Sequence, residues 1–303
     1  MLKMSLIKKR CIRGFMFKTV TRPVNVSTLY VSCKGREFTS SMTSSRSHGF
    51  STGDLIEHPI FIIEDILRRE LGFTDTNIDT SNFDTVYSAT STYKCATSIL
   101  NEESAFRVIE NICSQFCLYL IFNGEGKAII INKKLASAYT SSVGTIDFEE
   151  CDLKSISKTP ISNVKTKVIY EYDHDYADSS NRLSIETSSP NDSDYNRTKA
   201  LEIIIDGNMV RFDVSQTTET NAKLLAQTLH DLYKDLYQTR KNIVSLSALS
   251  PKYLKYEAGD VVEISNVPSS LKLFETAFGS QKFMITKISK SPSKIDLELT
   301  QVS

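Results

Sequence analysis

The chain has no tryptophan, only four histidines and no surplus charge, for its 303 residues carry 36 basic and 36 acidic side chains. That balance speaks against a protein whose main work is gripping phosphate backbones, which needs a basic excess on one face. No apolar run reaches the roughly 20 residues that a helix needs to cross a bilayer. The longest apolar stretches, residues 116–122 and 128–131, have the length of buried strands. Six cysteines form no C-x-x-C pair, so neither a zinc site nor a redox motif is indicated. Cys113 and Cys117, four apart, suit one buried face better than a ligand pair. Free buried thiols fit a protein made in a reducing cytoplasm. Without tryptophan, and with tyrosine and phenylalanine dispersed, no sugar- or base-stacking platform stands out.

Motifs that carry chemistry are equally sparse. Neither a G-x-x-x-x-G-K-[ST] loop nor a G-x-G-x-x-G turn occurs, and Gly124 and Gly126 belong to a hairpin turn. Four histidines supply few bases for a hydrolytic triad, and no G-x-S-x-G elbow is expected to seat a serine nucleophile. The pairs Glu102-Glu103 and Glu149-Glu150 are adjacent in sequence and point different ways, unlike the facing carboxylates of a glycosidase. The densest acidic cluster is Asp173-His174-Asp175 with Asp178. Carboxylates with one imidazole can hold a hard cation, but the spacing is not that of an EF-hand, and a solvated loop is expected. The expectation is therefore no enzyme, no catalytic residue, no metal and no cofactor.

What is present is alternation and helical periodicity. Residues 24–33 read as a strand, and the Ser/Thr-rich stretch 39–52 as a solvated loop. A helix follows from Pro59, with Ile62, Ile63, Ile66, Leu67 and Leu71 as its apolar stripe and Gly72 as its stop. A short helix capped by Thr80 or Ser81 comes next. A further helix starts after Asn101 and buries Ala105, Phe106, Val108, Ile109, Ile112, Cys113 and Phe116. Strands 118–122 and 127–132 around Asn123-Gly124 predict a β-hairpin. Residues 145–163 and 173–195 read as turns and loop. Residues 164–172, 201–205, 209–214, 242–249, 260–264, 283–288 and 295–302 read as strands. One long helix, about 220–239, presents Ala222, Leu225, Leu229, Leu232, Tyr233 and Leu236 on one face. The fold class is α+β, with three amphipathic helices packed on antiparallel strands and a C-terminal small barrel or sandwich. The expected divisions are a basic segment 1–23, a helix-and-hairpin domain 24–145 and a β-rich domain 146–303. The first 22 residues hold seven basic side chains, Lys3 and Arg22 at their ends, and no acid. They read as a plain basic terminus or an interrupted part of an earlier domain.

The order of four pieces resembles the tail hub and tail tip proteins of long-tailed phages. They are the strand at 30–38 (YVSCKGREF) leading to Gly53-Asp54-Leu55-Ile56-Glu57-His58-Pro59 and Glu70-Leu71-Gly72; the helix from Glu103 to Ile112 with its hairpin; the strand at 165–172 (KTKVIYEY) after Pro160-Ile161-Ser162; and the long helix followed by Asn242-Ile243-Val244 and Leu254-x-x-Glu257-x-Gly259-Asp260-Val261-Val262. The resemblance implies β-rich hub domains, with Gly259-Asp260 opening a barrel strand. It implies a virion structural protein of phage or prophage origin, made in the host cytoplasm and placed in the tail. Self-association as a homotrimer is implied, beside tube, distal tail and tape-measure proteins, around a channel for genome delivery. No membrane span and no specific nucleic-acid site are expected. The alternatives are a tail-associated cell-wall hydrolase and a carbohydrate-binding module.

Overall fold

The computed structural model describes residues 35–302 except 45, 98, 100, 101, 176–178, 211–219, 249, 250, 275, 280 and 292. The basic segment 1–23 and the strand expected at 24–33 lie outside the described residues, as does most of the strand expected at 209–214.

Five α-helices occur among the described residues: α1 (Ser40–Thr43), α2 (Pro59–Arg69), α3 (Thr80–Ala89), α4 (Ala105–Phe116) and α5 (Thr220–Tyr237). Proline at the first turn of α2 loses no intrahelical bond, and the His58 ring accepts from the Ile60 N–H as its cap. The cap of α3 is Asp79, which accepts from the Asn82 N–H at 3.0 Å, rather than Thr80 or Ser81. Helix α4 begins at Ala105 with Ser104 as N-cap, later than the expected start after Asn101, so Glu102 and Glu103 precede it. Its expected buried face is buried except for Phe106, which is exposed.

The hairpin forms as expected from β1 (Leu118–Phe122) and β2 (Ala128–Asn132), antiparallel. Its turn differs, because the Asn123 carboxamide accepts from the N–H groups of Glu125 and Lys127 and the positive φ falls at Gly126. The loop is thus longer than a two-residue Asn-Gly turn.

A three-stranded sheet has the order β6-β5-β7, built of β5 (Lys167–Asp175), β6 (Ser180–Glu186) and β7 (Glu202–Gly207). A six-stranded sheet has the order β3-β9-β12-β13-β8-β4, from β3 (Gly144–Asp147), β4 (Cys151–Lys158), β8 (Asn242–Ala248), β9 (Val261–Ser265), β12 (Lys282–Lys290) and β13 (Ile295–Gln301). The short pair β10 (Lys272–Leu273) and β11 (Thr276–Ala277) stands beside it. Most pairs are antiparallel, but β5–β7 and β3–β9 are parallel. Residues 145–163 and 173–195 are thereby corrected from loops to segments that hold β3, β4 and β6. Strand β4 escapes an alternation search because its register shifts between Leu153 and Ser155, and β6 because most of its side chains face solvent.

The six-stranded sheet must curl. Its two edge strands, β3 and β4, are joined by only the 3₁₀ turn Phe148–Glu150. Such a link reaches at most about 14 Å. The edges of a flat six-stranded sheet lie roughly 24 Å apart. The result is a half-barrel with its own apolar core, including Ile146, Val244, Leu246, Phe283, Ile285 and Leu299. A second core joins α2, α3, α4, the hairpin, the inner face of β5 and α5, through residues such as Ile63, Phe83, Ile112, Phe116, Tyr170 and Leu229. The hairpin touches both units. Ile131 packs against Gly259, and the Gly124 N–H donates to Glu257 Oε1 at 3.3 Å, where Lys290 Nζ also donates at 2.8 Å.

Candidate functional site

Three places concentrate chemistry or exposed apolar surface. The first is built on α2, where Glu64 and Asp65 point into the protein although the helix was expected to bury only an apolar stripe. Burying a carboxylate costs several kcal/mol unless it is paired and hydrogen-bonded. Arginines answer that demand. Arg46, its side chain only 4% exposed, donates to Glu64 Oε1 at 2.8 Å and to Asp84 Oδ1 at 2.6 Å. Arg68 bridges Glu64 and Asp75, Arg36 bridges Asp65 and Glu70, and Arg69 Nε lies 2.7 Å from Asp65 Oδ1. Burial pushes the Asp84 carboxyl up, but the Arg46 hydrogen bond and the Ser47 N–H overcome this and leave it below its ordinary range. The Ser/Thr-rich segment is therefore not a free solvated loop. Arg46 anchors it, and Phe38, Met42, Phe61 and partly buried Phe50 form a small core around it.

Against the expectation of no such motif, that segment spells Gly49-Phe50-Ser51-Thr52-Gly53, a match in letters to the G-x-S-x-G of a nucleophile elbow. The required strand–turn–helix is not built there. Ser51 is exposed and its N–H donates to Asp54 Oδ2 at 2.7 Å. His48 accepts the Phe50 N–H at Nδ1 and meets the Met42 carbonyl at Nε2, 2.8 Å away, so both ring nitrogens are engaged elsewhere. A depression of about 320 Å³ beside α2, touched by Asp65, Arg68, Arg69, Phe73 and Asp75, has its arginines committed to the ion pairs above.

The acidic cluster is dispersed by the strand. Asp173, with φ +61°, pairs with Arg182 at 2.8 Å, and His174 Nδ1 meets Asn181 Oδ1 at 3.0 Å, while Asp178 lies outside the described residues. No group of three His, Cys, Asp or Glu side chains stands close enough to hold a metal among the described residues. Burial pushes the Cys113 and Cys117 thiols up to about 12, so both stay protonated. The Glu149 N–H donates to Asp147 Oδ1 at 3.1 Å, and Glu150 accepts from Tyr253 and Lys252. Gly259 has φ +93° just before β9, the barrel-opening turn that was expected.

The second place is a column of tyrosines. Tyr170 on β5 stacks on Tyr233 of α5 at 6.2 Å, and Tyr233 on Tyr237 at the same distance with rings 6° from parallel. The column ends at the surface beside Tyr119, which is 47% exposed and has Lys133 Nζ 5.3 Å from its ring centre. Tyr139 and Tyr237 neighbour the Tyr119 hydroxyl, and Lys241 neighbours Lys133. Lys241 has a carboxylate at 3.4 Å in Asp235, whereas Lys133 has none within 4 Å among the described residues. Burial first, and then Lys241, push the Lys133 ammonium below its ordinary range. The aromatic residues are thus less dispersed than the sequence suggests. Only Tyr233 and Tyr237, one helical turn apart, could have signalled it.

The third place is the outer face of the three-stranded sheet. Glu202, Ile204 and Asp206 alternate outward on β7, with Glu171 on β5 and Glu186 on β6 beside them. Ile204 is 58% exposed. Lys167 lies between, paired to Glu186 at 2.9 Å and Glu202 at 3.1 Å.

No protein-family model and no curated protein sequence matches the chain. Solved structures do. A chain in the virion of a native gene transfer agent particle superposes with a TM-score of 0.51 at 12% identity, over 80% of this chain and 46% of that one. The 43 kDa tail protein of prophage MuSo2 from Shewanella oneidensis gives 0.43 at 12% identity, over 88% of this chain and 72% of that one. A tail protein from Neisseria meningitidis MC58 gives 0.41 at 10% identity, over 68% and 57%. The fold assignment rests on the first, whose length this chain spans by less than half. These are virion and tail proteins, the kind to which the resemblance in the sequence points.

Proposed function

We propose that this chain is a structural component of a phage or prophage tail, placed in the virion at the hub or tip, with no catalytic step of its own. Copies of it, as a trimer, assemble at the end of the tail tube beside distal tail and tape-measure proteins and help bound the channel for the genome. The observation that carries this reading is the fold shared with a chain of the gene transfer agent virion over four-fifths of the molecule. The physical make-up supports it. Two separate apolar cores are bridged by the hairpin, whose Ile131 packs against Gly259 and whose Gly124 N–H meets Glu257. The three-stranded sheet ends in β6 and β7, and edge strands and exposed apolar faces are what assembling copies use. Net neutrality is no obstacle to a channel, because only the side chains facing a lumen set its field.

The test is placement in the particle. Immunogold labelling of purified particles carrying a tagged chain is expected to decorate the end of the tail, and disruption of the gene to leave particles without a complete tip. A chain missing from purified particles, or one that alone releases peptidoglycan fragments, would sink the reading in favour of a hydrolase.

A further inference from the structure

The tyrosine–lysine patch and the acidic sheet face complement each other but lie on opposite sides of one layer. From the acidic face the order runs through β5 to Tyr170 on its inner side, then Tyr233 and Tyr237 of α5, and finally Tyr119 with Lys133. One copy therefore cannot bring its own two patches together. Each centres on an exposed large side chain, Tyr119 on one side and Ile204 on the other. Each carries charge left over after its internal pairs are counted. Among the described residues Lys133 has no carboxylate within 4 Å, and Glu171 and Asp206 have no cation there, accepting only from the Asn181 carboxamide and, for Asp206, from that of Asn208. Pairing the acidic face with itself would set acids against acids, which disfavours an isologous contact there.

We infer that the Tyr119–Lys133 patch of one copy docks on the Glu202–Ile204–Asp206 face of the next, so that copies of this chain join head to tail. This inference rests on the self-assembly in the function proposed above and names the surfaces that make it. Tyrosine suits the role: a large, two-rotor ring with a hydroxyl that tolerates a polar rim. An ammonium over such a ring, with an acid supplied by the next copy, completes an ion pair that the isolated chain leaves open. Because the two patches differ, the contact is heterologous, and it yields a closed ring where the rotation between copies permits and a filament where it does not.

The experiment uses the full chain in light scattering after size exclusion, across concentrations and at low and high salt. The wild-type chain is expected to associate, more weakly at high salt. Asp206→Lys, Lys133→Glu and Tyr119→Ser are each expected to weaken association by about tenfold or more. The chain with Asp206→Lys and Lys133→Glu together is expected to recover part of it, since that one pair is then reversed in sign while the neighbouring acids stay as they were. Tyr119→Ser and Asp206→Lys alter exposed positions, so a folding defect at half-buried Lys133 would not spare the idea. A wild-type chain that stays monomeric at every concentration overturns the inference. So does association that ignores the three variants, or a double variant no better than the singles. The tail placement would survive those results, since particle labelling tests it separately.

Discussion

Glu64, reached by an Arg46 side chain only 4% exposed, sits as deep in the α2 region as Phe283 and Ile285 sit in the half-barrel, yet the two interiors are made of different material. Of the buried acids described, Glu64, Asp65 and Asp84 surround α2, Asp173 lies on β5, and none belongs to the half-barrel. An apolar core loses stability by degrees as methylenes are removed. A set of buried pairs behaves otherwise, because each charge is tolerable only while its partner stays. The α2 region should therefore fail abruptly when one charge goes, while the half-barrel should answer to volume and close approach.

Removing Arg46 is the largest test of this contrast. Arg46→Ala strands Asp84 and leaves the fully buried Glu64 with Arg68 alone, and the expected loss is about 4 kcal/mol in urea unfolding followed by far-UV circular dichroism. Arg46→Lys should recover little of it, since an ammonium cannot reproduce the forked contacts to two carboxylates. Neutralising the acids in the same chain, with Glu64→Gln and Asp84→Asn, should recover part. Strict additivity of all these changes would show that the pairs do not act as a unit.

The same region should be the acid-sensitive one. His58 caps α2 and is 4% exposed. Burial, partly offset by the contact with the Thr90 carbonyl and reinforced by Lys94, lowers its imidazole from 6.5 to about 4. The folded state thus prefers the neutral ring, while the unfolded chain takes a proton at its ordinary pKa. This contribution is complete above pH 6.5 and is lost as pH falls toward 4, and the window is worth about 3 kcal/mol. His58→Asn keeps a capping acceptor and removes the titration. Its stability should be flatter between pH 6.5 and 4 than that of the wild-type chain. Parallel curves for the two would place the acid sensitivity elsewhere.

The two regions also differed in how far the sequence disclosed them. Strands β9 and β13, and the first part of β8, alternate because one face is core, and period two is visible there without knowing the partner. Strand β4 is hidden by its bulge, and β6 by a mostly solvated surface. The arginine network was invisible for another reason, since Arg46 meets partners 18 and 38 residues away. One local trace existed. Glu64 with Arg68, and Asp65 with Arg69, are pairs four apart inside an otherwise apolar helix, a costly placement unless something buries and answers them. Of the docking patches, Tyr233 with Tyr237 and the alternation Glu202-Ile204-Asp206 could be read locally. That Tyr119 and Lys133 end the same column follows only from the packing of the hairpin on α5.

Gly259 tests the other half of the comparison, and its effect should be the smallest of the three. A Cβ built there would stand 2.3 Å from Ile131 Cδ1, and φ is +93°, where a side chain is strained in any surroundings. Gly259→Ala should therefore destabilise through two separable causes, about 2 kcal/mol in all. Shortening the opposing side chain with Ile131→Ala in the same chain removes the clash and leaves the backbone strain. The double variant should thus lose less than the two single losses added together, by an amount that reports the contact alone. Because Ile131 belongs to the hairpin and Gly259 to the turn before β9, that coupling measures how tightly hairpin and half-barrel are locked. Fully additive losses would mean that the contact transmits nothing between them.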